Sequence, residues 1–487
     1  MAENKSTISN LSWKLFERLS AQIVTIGVSI ILARLLDPSH YGLISLVTIF
    51  ITLANVFVSD GFGSALIQKK DSDNIDFSSV LVFNFFFSVF LYIILFGSAP
   101  FIASFFGKGY EILTPILRIM GLRLIISSIN TVQQAYVAKN MIFKKFFIAT
   151  LIGTIISACF GIWMAYSGFG VWALVAQYMI NTTIDTIVLG ISLKWWPGLK
   201  VSIDRITSLL KYGWKILGSG LLTTGFVELR ALIIGKLYSS NDLAFYDKGK
   251  QFPNLIVANI NTSVGSVLFS KMSLEQSDKN RIKSLTRQSI CVGSYLMCPM
   301  MLGLAAVSNQ FVSVVLTDKW LPCVPILQLF CIIYLFQPIH ISNMQAIKAI
   351  GRSDIYLILE IVKKTIELIA LLITMWFGVN AIVIGMAIMT TSFTFLNAFP
   401  NIKLLNYTFK EQIKDLGPSL IMGLIMFVVV FLLGYLPINK YLLLTIQVLS
   451  GVCIYLFLSV VSKNKNFYYL LNIIKRKFLI KKKKRIV

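Results

Sequence analysis

Long apolar stretches separated by short polar connections dominate this chain from Leu11 to Ser462. A helix needs about 20 apolar residues to cross the hydrocarbon core of a bilayer, and about fourteen stretches reach that length. The pattern therefore predicts an all-α, polytopic membrane protein with about fourteen transmembrane helices. The predicted spans are 13–35, 41–66, 77–105, 112–138, 146–166, 169–193, 211–236, 250–270, 287–308, 323–347, 354–376, 379–400, 416–436 and 440–462.

Composition agrees with this prediction and narrows the chemistry. Of the 487 residues, 56% are hydrophobic, and the mean hydropathy is +0.77. The six cysteines lie mostly inside apolar stretches, and the two histidines, His40 and His340, are far apart in sequence. Neither residue type shows the spacing of a metal site. We therefore expect no metal, no cofactor and no catalytic residues.

The formal net charge of +24 is better explained by membrane orientation than by nucleic-acid binding. Binding nucleic acid would need a basic face on a soluble domain, whereas only the last ~25 residues form a basic tract. Every second connection is cationic, with roughly thirty Lys and Arg in one set against about seven in the other. Cationic connections stay in the cytoplasm, so both termini are predicted to be cytoplasmic. The cationic set is the N-terminal tail, 67–76, 139–145, 194–215, 271–287, 348–354, 401–415 and 463–487.

The sequence repeats itself at an offset of about 210 residues. Pro115-Ile116-Leu117 recurs as Pro325-Ile326-Leu327, Gln134-Ala135 recurs as Gln345-Ala346, and Phe169-Gly170-Val171 recurs as Phe377-Gly378-Val379. Spans 1–6 and 7–12 are therefore predicted to be copies with the same orientation, and two such lobes facing a central cavity are typical of alternating-access transporters. The predicted domains are an N-terminal six-helix lobe (1–195), a C-terminal six-helix lobe (196–400), helices 13 and 14 (401–462) and a basic cytoplasmic tail (463–487).

Ionisable residues inside the predicted spans are the candidate functional residues. Each costs roughly 2.5–3.5 kcal/mol on insertion scales, so such residues usually face protein or a water-filled cavity. Cations in a cavity suit a substrate with phosphate or carboxylate groups. The candidates for a cationic substrate site are Arg118, Arg123, Arg230, Lys363 and Lys364. The candidates for coupling or ion pairing are Asp60, Asp185, Glu228, Glu360 and Glu367.

Helical spacing adds detail to these candidates. Arg118 and Arg123 are separated by about 140° around a helix, so they cannot both point into one cavity. Glu360 with Lys364 and Lys363 with Glu367 have the i,i+4 spacing of helix ion pairs, which leaves a purely structural role open for them. Prolines in the second copy are predicted to interrupt spans 8, 9 and 10. These prolines are Pro253, Pro299 and Pro338.

A set of short motifs resembles the polysaccharide-transport branch of the multidrug/oligosaccharidyl-lipid/polysaccharide exporter superfamily, and is most similar to oligosaccharide-lipid flippases of the colanic-acid type. The resemblance extends from about Leu15 to Pro400. The motifs are Ala33-Arg34-Leu35-Leu36-Asp37-Pro38, Tyr41-Gly42, Ala65-Leu66-Ile67-Gln68, Gly168-Phe169-Gly170-Val171-Trp172-Ala173-Leu174-Val175, Lys319-Trp320-Leu321-Pro322, Val324-Pro325 and Gly351-Arg352-Ser353-Asp354.

The resemblance implies a multi-pass flippase of the bacterial inner membrane. Such a protein moves a polyisoprenyl-pyrophosphate-linked oligosaccharide between leaflets for O-antigen, capsule or exopolysaccharide assembly, and it works among membrane lipids, a polymerase and other polysaccharide-assembly proteins. Its cargo would bind in a cationic central cavity. The chain departs from its relatives where they carry an acidic residue early in the second copy, because Arg230 stands there and Glu228 lies two positions earlier.

Three other functions are weighed against a flippase of this kind. A cation-coupled drug antiporter of the same superfamily needs buried acids, but intramembrane cations are at least as numerous here. A membrane glycosyltransferase or polymerase needs a large outer loop, whereas the longest outer connections, 237–249 and 309–322, are short. A lipid II flippase differs only in the glycan that it carries.

Overall fold

The computed structural model describes residues 22–472, except 70, 199 and 276–277, together with residue 475. These residues form helices and connections without a β-strand, which confirms the all-α membrane fold. The first six helices are α1 Gln22–Leu35, α2 Pro38–Gln68, α3 Asn74–Phe106, α4 Leu113–Asn140, α5 Phe143–Tyr166 and α6 Val171–Leu193. The next five are α7 Ile203–Leu237, α8 Ser240–Leu274, α9 Lys279–Val315, α10 Val324–Leu335 and α11 Gln337–Ala349, with a 3-10 helix at Asp318–Cys323. The last are α12 Ser353–Thr374, α13 Val379–Leu405, α14 Phe409–Leu433, α15 Lys440–Val461 and a short α16 over 465–472.

Every predicted span overlaps a helix, but the count of fourteen spans is not confirmed. Eleven helical segments of the described chain are long and apolar enough to cross a membrane. The helices α8 and α12 are long enough but more polar, and α12 carries four charged residues within two turns. For the first span, only Gln22–Leu35 can be assessed, because residues 13–21 lie outside the described part of the chain.

The chain forms two compact units, Met1–Ala244 and Phe245–Val487. Within the first unit, α5 packs on α6 and α4 packs on α6, while α7 packs on α2. Within the second unit, α12 packs on α13 and α11 packs on α13, in the same order along the chain. This parallel supports the internal repeat. The packing boundary follows α7, whereas the repeat places α7 in the second copy, so the domain boundaries at 195 and 400 stay predictions.

Two of the sequence motifs meet at one end of the first unit, where glycines permit close approach. A Cβ on Gly42 would lie 1.8 Å from the carbonyl oxygen of Ser240, so the start of α2 touches the main chain at the start of α8. Gly170 is the N-cap of α6 with φ +54°, a conformation that favours glycine, and a Cβ there would lie 3.1 Å from His40 Nε2. The motif glycines therefore serve packing in the first unit.

Of the three prolines predicted to interrupt spans, only Pro338 lies at a break between two helices. α10 ends at Leu335 and α11 begins at Gln337, so Pro338 lies in the first turn of a new helix. This is where proline is tolerated, because that N–H has no intrahelical partner. Pro253 and Pro299 lie inside α8 and α9, which continue through them.

The close approach at Gly42 predicts a large difference between two glycine substitutions. Gly42→Ala should lower the thermal unfolding midpoint of the detergent-purified protein, because the main chain of Ser240 cannot move aside as a flexible side chain can. Overpacking of this kind costs typically about 1–3 kcal/mol. Gly97→Ala in α3 is the matched control, since nothing lies within 4 Å of its added Cβ. Equal midpoints for both variants would contradict this account of the motif.

Candidate functional site

Arg123 lies on the face of α4 that packs against α6. Its Nε donates a hydrogen bond to the Thr182 hydroxyl at 3.1 Å, and its guanidinium carbon lies 5.2 Å from the centre of the Tyr178 ring. No carboxylate of the described residues pairs with it. A guanidinium has five N–H donors in a fixed fork, so Arg123 keeps donors for an anionic ligand.

Asp185 follows Thr182 by one turn of α6 and is held by neutral donors. Its carboxylate accepts hydrogen bonds from the Asn130 amide at 3.2 Å and from the Thr150 hydroxyl at 3.3 Å. Within the described residues it forms no salt bridge, and it is only partly exposed. The contact between α4, α5 and α6 therefore holds one cation and one acid that are not paired with each other.

Arg118 points away from this contact, as the helical spacing predicted. Its Nε donates to the carbonyl oxygen of Phe96 at 3.4 Å, and its guanidinium carbon lies 4.2 Å above the Phe96 ring. Phe96 belongs to α3, whereas the partners of Arg123 belong to α6. The two arginines of α4 therefore serve different surfaces.

The charged residues of α12 form ion pairs, but not the predicted ones. Lys363 Nζ lies 2.5 Å from Glu360, and Lys364 Nζ lies 3.0 Å from Glu367. Both pairs are i,i+3, so the predicted i,i+4 pairing was wrong. Residues three and four positions apart lie on the same face of a helix, so a partner at either spacing is within reach.

These four charges form one stripe along α12. They occupy an arc of about 100° around the helix axis. The opposite face carries large aliphatic side chains that are about half or more exposed, at Ile358, Ile369, Leu372 and Ile373. An apolar face of this size suits lipid, and the charged stripe on the other side suits protein or a polar cavity.

The remaining candidates are less well placed. Glu228 and Arg230 are both half-buried on α7. They are two positions apart, which is a rotation of about 200° around the helix axis, so their side chains point to opposite sides of the helix. Asp60 belongs to α2, but its side chain lies outside the described part of the structure. The candidates thus fall into separate groups, with the α4–α6 group in the first unit and the α12 stripe in the second.

Sequence reasoning missed the neutral polar residues that hold these charges. Asn130, Thr150, Tyr178 and Thr182 all contact Arg123 or Asp185. A signal existed, because polar residues cluster inside spans 4 and 6, at Ser127-Ser128, Asn130, Gln133-Gln134 and Asn181-Thr182-Thr183.

A second missed feature is an ion cluster at the end of the first unit where α2 and α3 are joined. Asp76 is fully buried and lies 2.8 Å from Lys69 Nζ and 3.4 Å from Arg205 Nη1. Arg205 also pairs with Asp73, the N-cap of α3, and this hydrogen bond helps to lower the pKa of Asp73 to about 2. The cluster ties the start of α7 to α3. Its residues lie in connections that the sequence analysis assigned only to membrane orientation.

An analogous cluster lies in the second unit, with the charges exchanged. Arg287 on α9 donates to both oxygens of Asp415 on α14, at 2.7 and 2.8 Å. Tyr407 donates to the same carboxylate at 2.7 Å. In the first unit the acids lie on α3, whereas here the cation lies on α9, which is the corresponding helix of the repeat. A metal site is not among these features, since no group of three or more His, Cys, Asp or Glu suited to a metal occurs in the described residues.

Comparison with known proteins identifies the family. Lipopolysaccharide biosynthesis protein WzxC of Escherichia coli K12 is 22% identical over 444 residues, which is 89% of each chain. Succinoglycan biosynthesis transport protein ExoT of Rhizobium meliloti is 22% identical over 67% of this chain and 66% of its own. The fold is similar to that of the lipid II flippase MurJ, with a TM-score of 0.76 and 18% identity over 94% of this chain and 99% of MurJ. Residues 31–325 match the family described as polysaccharide biosynthesis protein, so the chain belongs to that family, as the motif resemblance predicted.

Proposed function

We propose that this protein is a flippase of the bacterial inner membrane that carries polyisoprenyl-pyrophosphate-linked oligosaccharide repeat units from the cytoplasmic to the outer leaflet. The product would enter O-antigen, capsule or exopolysaccharide assembly. Support comes from the family, from a relative named as a transport protein, and from a fold similar to that of the lipid II flippase MurJ. Proteins of this kind are transporters, so we assign no catalytic residue.

The observation that carries the proposal is the environment of Arg123. A cation inside the membrane is costly unless an acid, water or a ligand neutralises it. Arg123 has a hydroxyl and an aromatic ring as neighbours, and no described carboxylate. A pyrophosphate headgroup supplies oxygens that match the guanidinium fork. We assign Arg123 to headgroup binding, with Lys363 and Lys364 as cations of the second unit, and retain Arg118 and Arg230 as further candidates.

The acids are proposed either to balance the charge of these cations or to couple transport to an ion. Glu360 and Glu367 hold the α12 lysines in position, and an arriving headgroup would compete with them. Asp185 is proposed as a coupling residue because only neutral donors hold it, and Asp60 and Glu228 remain candidates for the same role. Transport by alternating access between the two repeats, and partnership with a polymerase, belong to this proposal.

A drug antiporter of the same superfamily fits these contacts less well. A cationic drug needs an acid that can turn toward it, but Glu360 and Glu367 already pair with lysines, and Asp185 already accepts hydrogen bonds from Asn130 and Thr150. A lipid II flippase would use the same pyrophosphate chemistry, so it stays an alternative that differs only in the glycan.

Neutralising the proposed cations should stop export without loss of protein. Arg123→Gln and Lys364→Gln should each abolish polymer at the cell surface while the protein reaches the membrane at wild-type abundance. Arg352→Gln is the control, because Arg352 forms an exposed pair with Asp354, and exposed pairs contribute little to stability. Normal polymer from both test variants at normal abundance would refute the cationic site.

We further propose that both termini are cytoplasmic, which the cationic connections support. In a variant without native cysteines, a cysteine at the exposed Lys108, between α3 and α4, should react with an impermeant thiol reagent in intact cells. A cysteine at the exposed Asn280, in the first turn of α9, should react only after the membrane is opened. The reverse pattern would overturn the orientation.

A further inference from the structure

The second unit contains a buried histidine that the transport proposal does not use. His340 lies in the first turn of α11 and is 9% exposed. Its ring contacts α13, where Asn397 Nδ2 lies 2.7 Å from Nδ1 and Thr394 Oγ1 lies 3.4 Å from Nε2. Both ring nitrogens therefore have polar neighbours.

In this arrangement the ring has one neutral form. An amide nitrogen only donates, so with Asn397 Nδ2 toward the ring, Nδ1 accepts the hydrogen bond. The ring proton of neutral His340 is then on Nε2, which faces Thr394 on α13.

Asn397 can also serve a protonated ring. Its Oδ1 is buried and has no hydrogen-bond partner, although the residue is only 1% exposed. Buried side-chain acceptors are rarely left without a partner. Rotation about the Cβ–Cγ bond of Asn397 would exchange the positions of Nδ2 and Oδ1. Oδ1 would then accept a hydrogen bond from the protonated Nδ1 of His340. The same two residues can therefore hold both protonation states with a hydrogen bond between them.

The charged neighbour of His340 belongs to the proposed anion site. Lys363 on α12 interacts electrostatically with His340 and is itself paired with Glu360. The described polar contacts of the ring are thus Thr394 and Asn397 on α13, and its charged neighbour is Lys363 on α12. Protonation would place a second positive charge beside Lys363. An anion bound at Lys363 would offset that charge.

We infer that His340 and Asn397 form a proton-binding pair, and that proton uptake there is linked to binding of an anionic headgroup at the α12 lysines. The linkage rests on the proposed function, whereas the proton site rests on the contacts of His340 alone. Linkage between two sites is reciprocal, so a bound anion would favour the proton, and the proton would favour the anion.

The first unit suggests a matched substitution. The amide of Asn130 on α4 donates a hydrogen bond to Asp185 on α6, so an asparagine joins the corresponding pair of helices there. His340→Asn therefore keeps a side chain that can hydrogen-bond to α13 and removes the imidazole.

Nuclear magnetic resonance of the histidine nitrogens tests the inference directly, because the chain has only two histidines. Full-length protein with ¹⁵N-labelled histidine would be placed in phosphatidylcholine vesicles and measured between pH 3 and 8, and His40→Asn would identify the His340 signals. We expect neutral His340 with the proton on Nε2 at high pH and a doubly protonated ring at low pH. Inorganic pyrophosphate should raise the proton affinity about tenfold, a typical coupling between two sites.

Controls separate the parts of this inference. Lys363→Gln with Lys364→Gln should remove the pyrophosphate effect, and Asn397→Leu should abolish protonation across the pH range by removing the acceptor. A ring that stays neutral from pH 3 to 8 would overturn the proton site. A titration that saturating pyrophosphate leaves unchanged would overturn the linkage. If pyrophosphate does not bind, the cationic site of the proposed function fails, and the titration alone still decides whether His340 binds a proton.

His340→Asn supplies a readout in cells that a packing role would not change. Its polymer export should fall and lose its dependence on external pH, at wild-type abundance of the protein. An unchanged pH profile at normal abundance would show that the histidine only packs, and would overturn the inference.

Discussion

The cost of a charge inside the membrane is the constraint on which the account of this protein depends. An ionisable residue at the centre of a span costs roughly 2.5–3.5 kcal/mol on insertion scales, and the structure meets that cost in three ways. The lysines of α12 each pair with a glutamate three residues away. Asp185 accepts hydrogen bonds from neutral donors. Among the described residues, Arg123 has a hydroxyl and an aromatic ring as neighbours and no carboxylate, so it keeps donors for an anionic ligand.

The motifs that mark the family and the residues proposed to bind cargo are different sets. Gly42 and Gly170 occur in the motifs, and both lie at close contacts where a side chain would collide with a neighbour or strain the main chain. They maintain the packing of the first unit. Arg123, Lys363 and Lys364 lie outside the motifs, so family membership alone does not specify the cargo site. We propose that the charges inside the spans carry that information.

Much of the fold was predictable, because the length and spacing of apolar stretches alone indicate where helices cross a membrane. The break at Phe336 was signalled by Pro338, but Pro253 and Pro299 show that a proline does not always end a helix. The site was less predictable. Periodicity separated Arg118 from Arg123, but i,i+3 and i,i+4 partners share a helix face, so spacing could not decide between Lys363 and Lys364 as the partner of Glu360. Asn130 and Thr150 are neutral, and their role depends on which helices meet.

Direct measurement of lipid-linked glycan movement tests the central claim. The full-length protein would be placed in vesicles with a fluorescent oligosaccharide on a short polyprenyl pyrophosphate, and an impermeant quencher would report which leaflet holds it. The account predicts that wild-type protein lets the quencher reach nearly all of the label, whereas Arg123→Gln leaves the inner half protected, as in protein-free vesicles. Equal quenching by Arg123→Gln and wild type, or no effect of the wild-type protein, would contradict it.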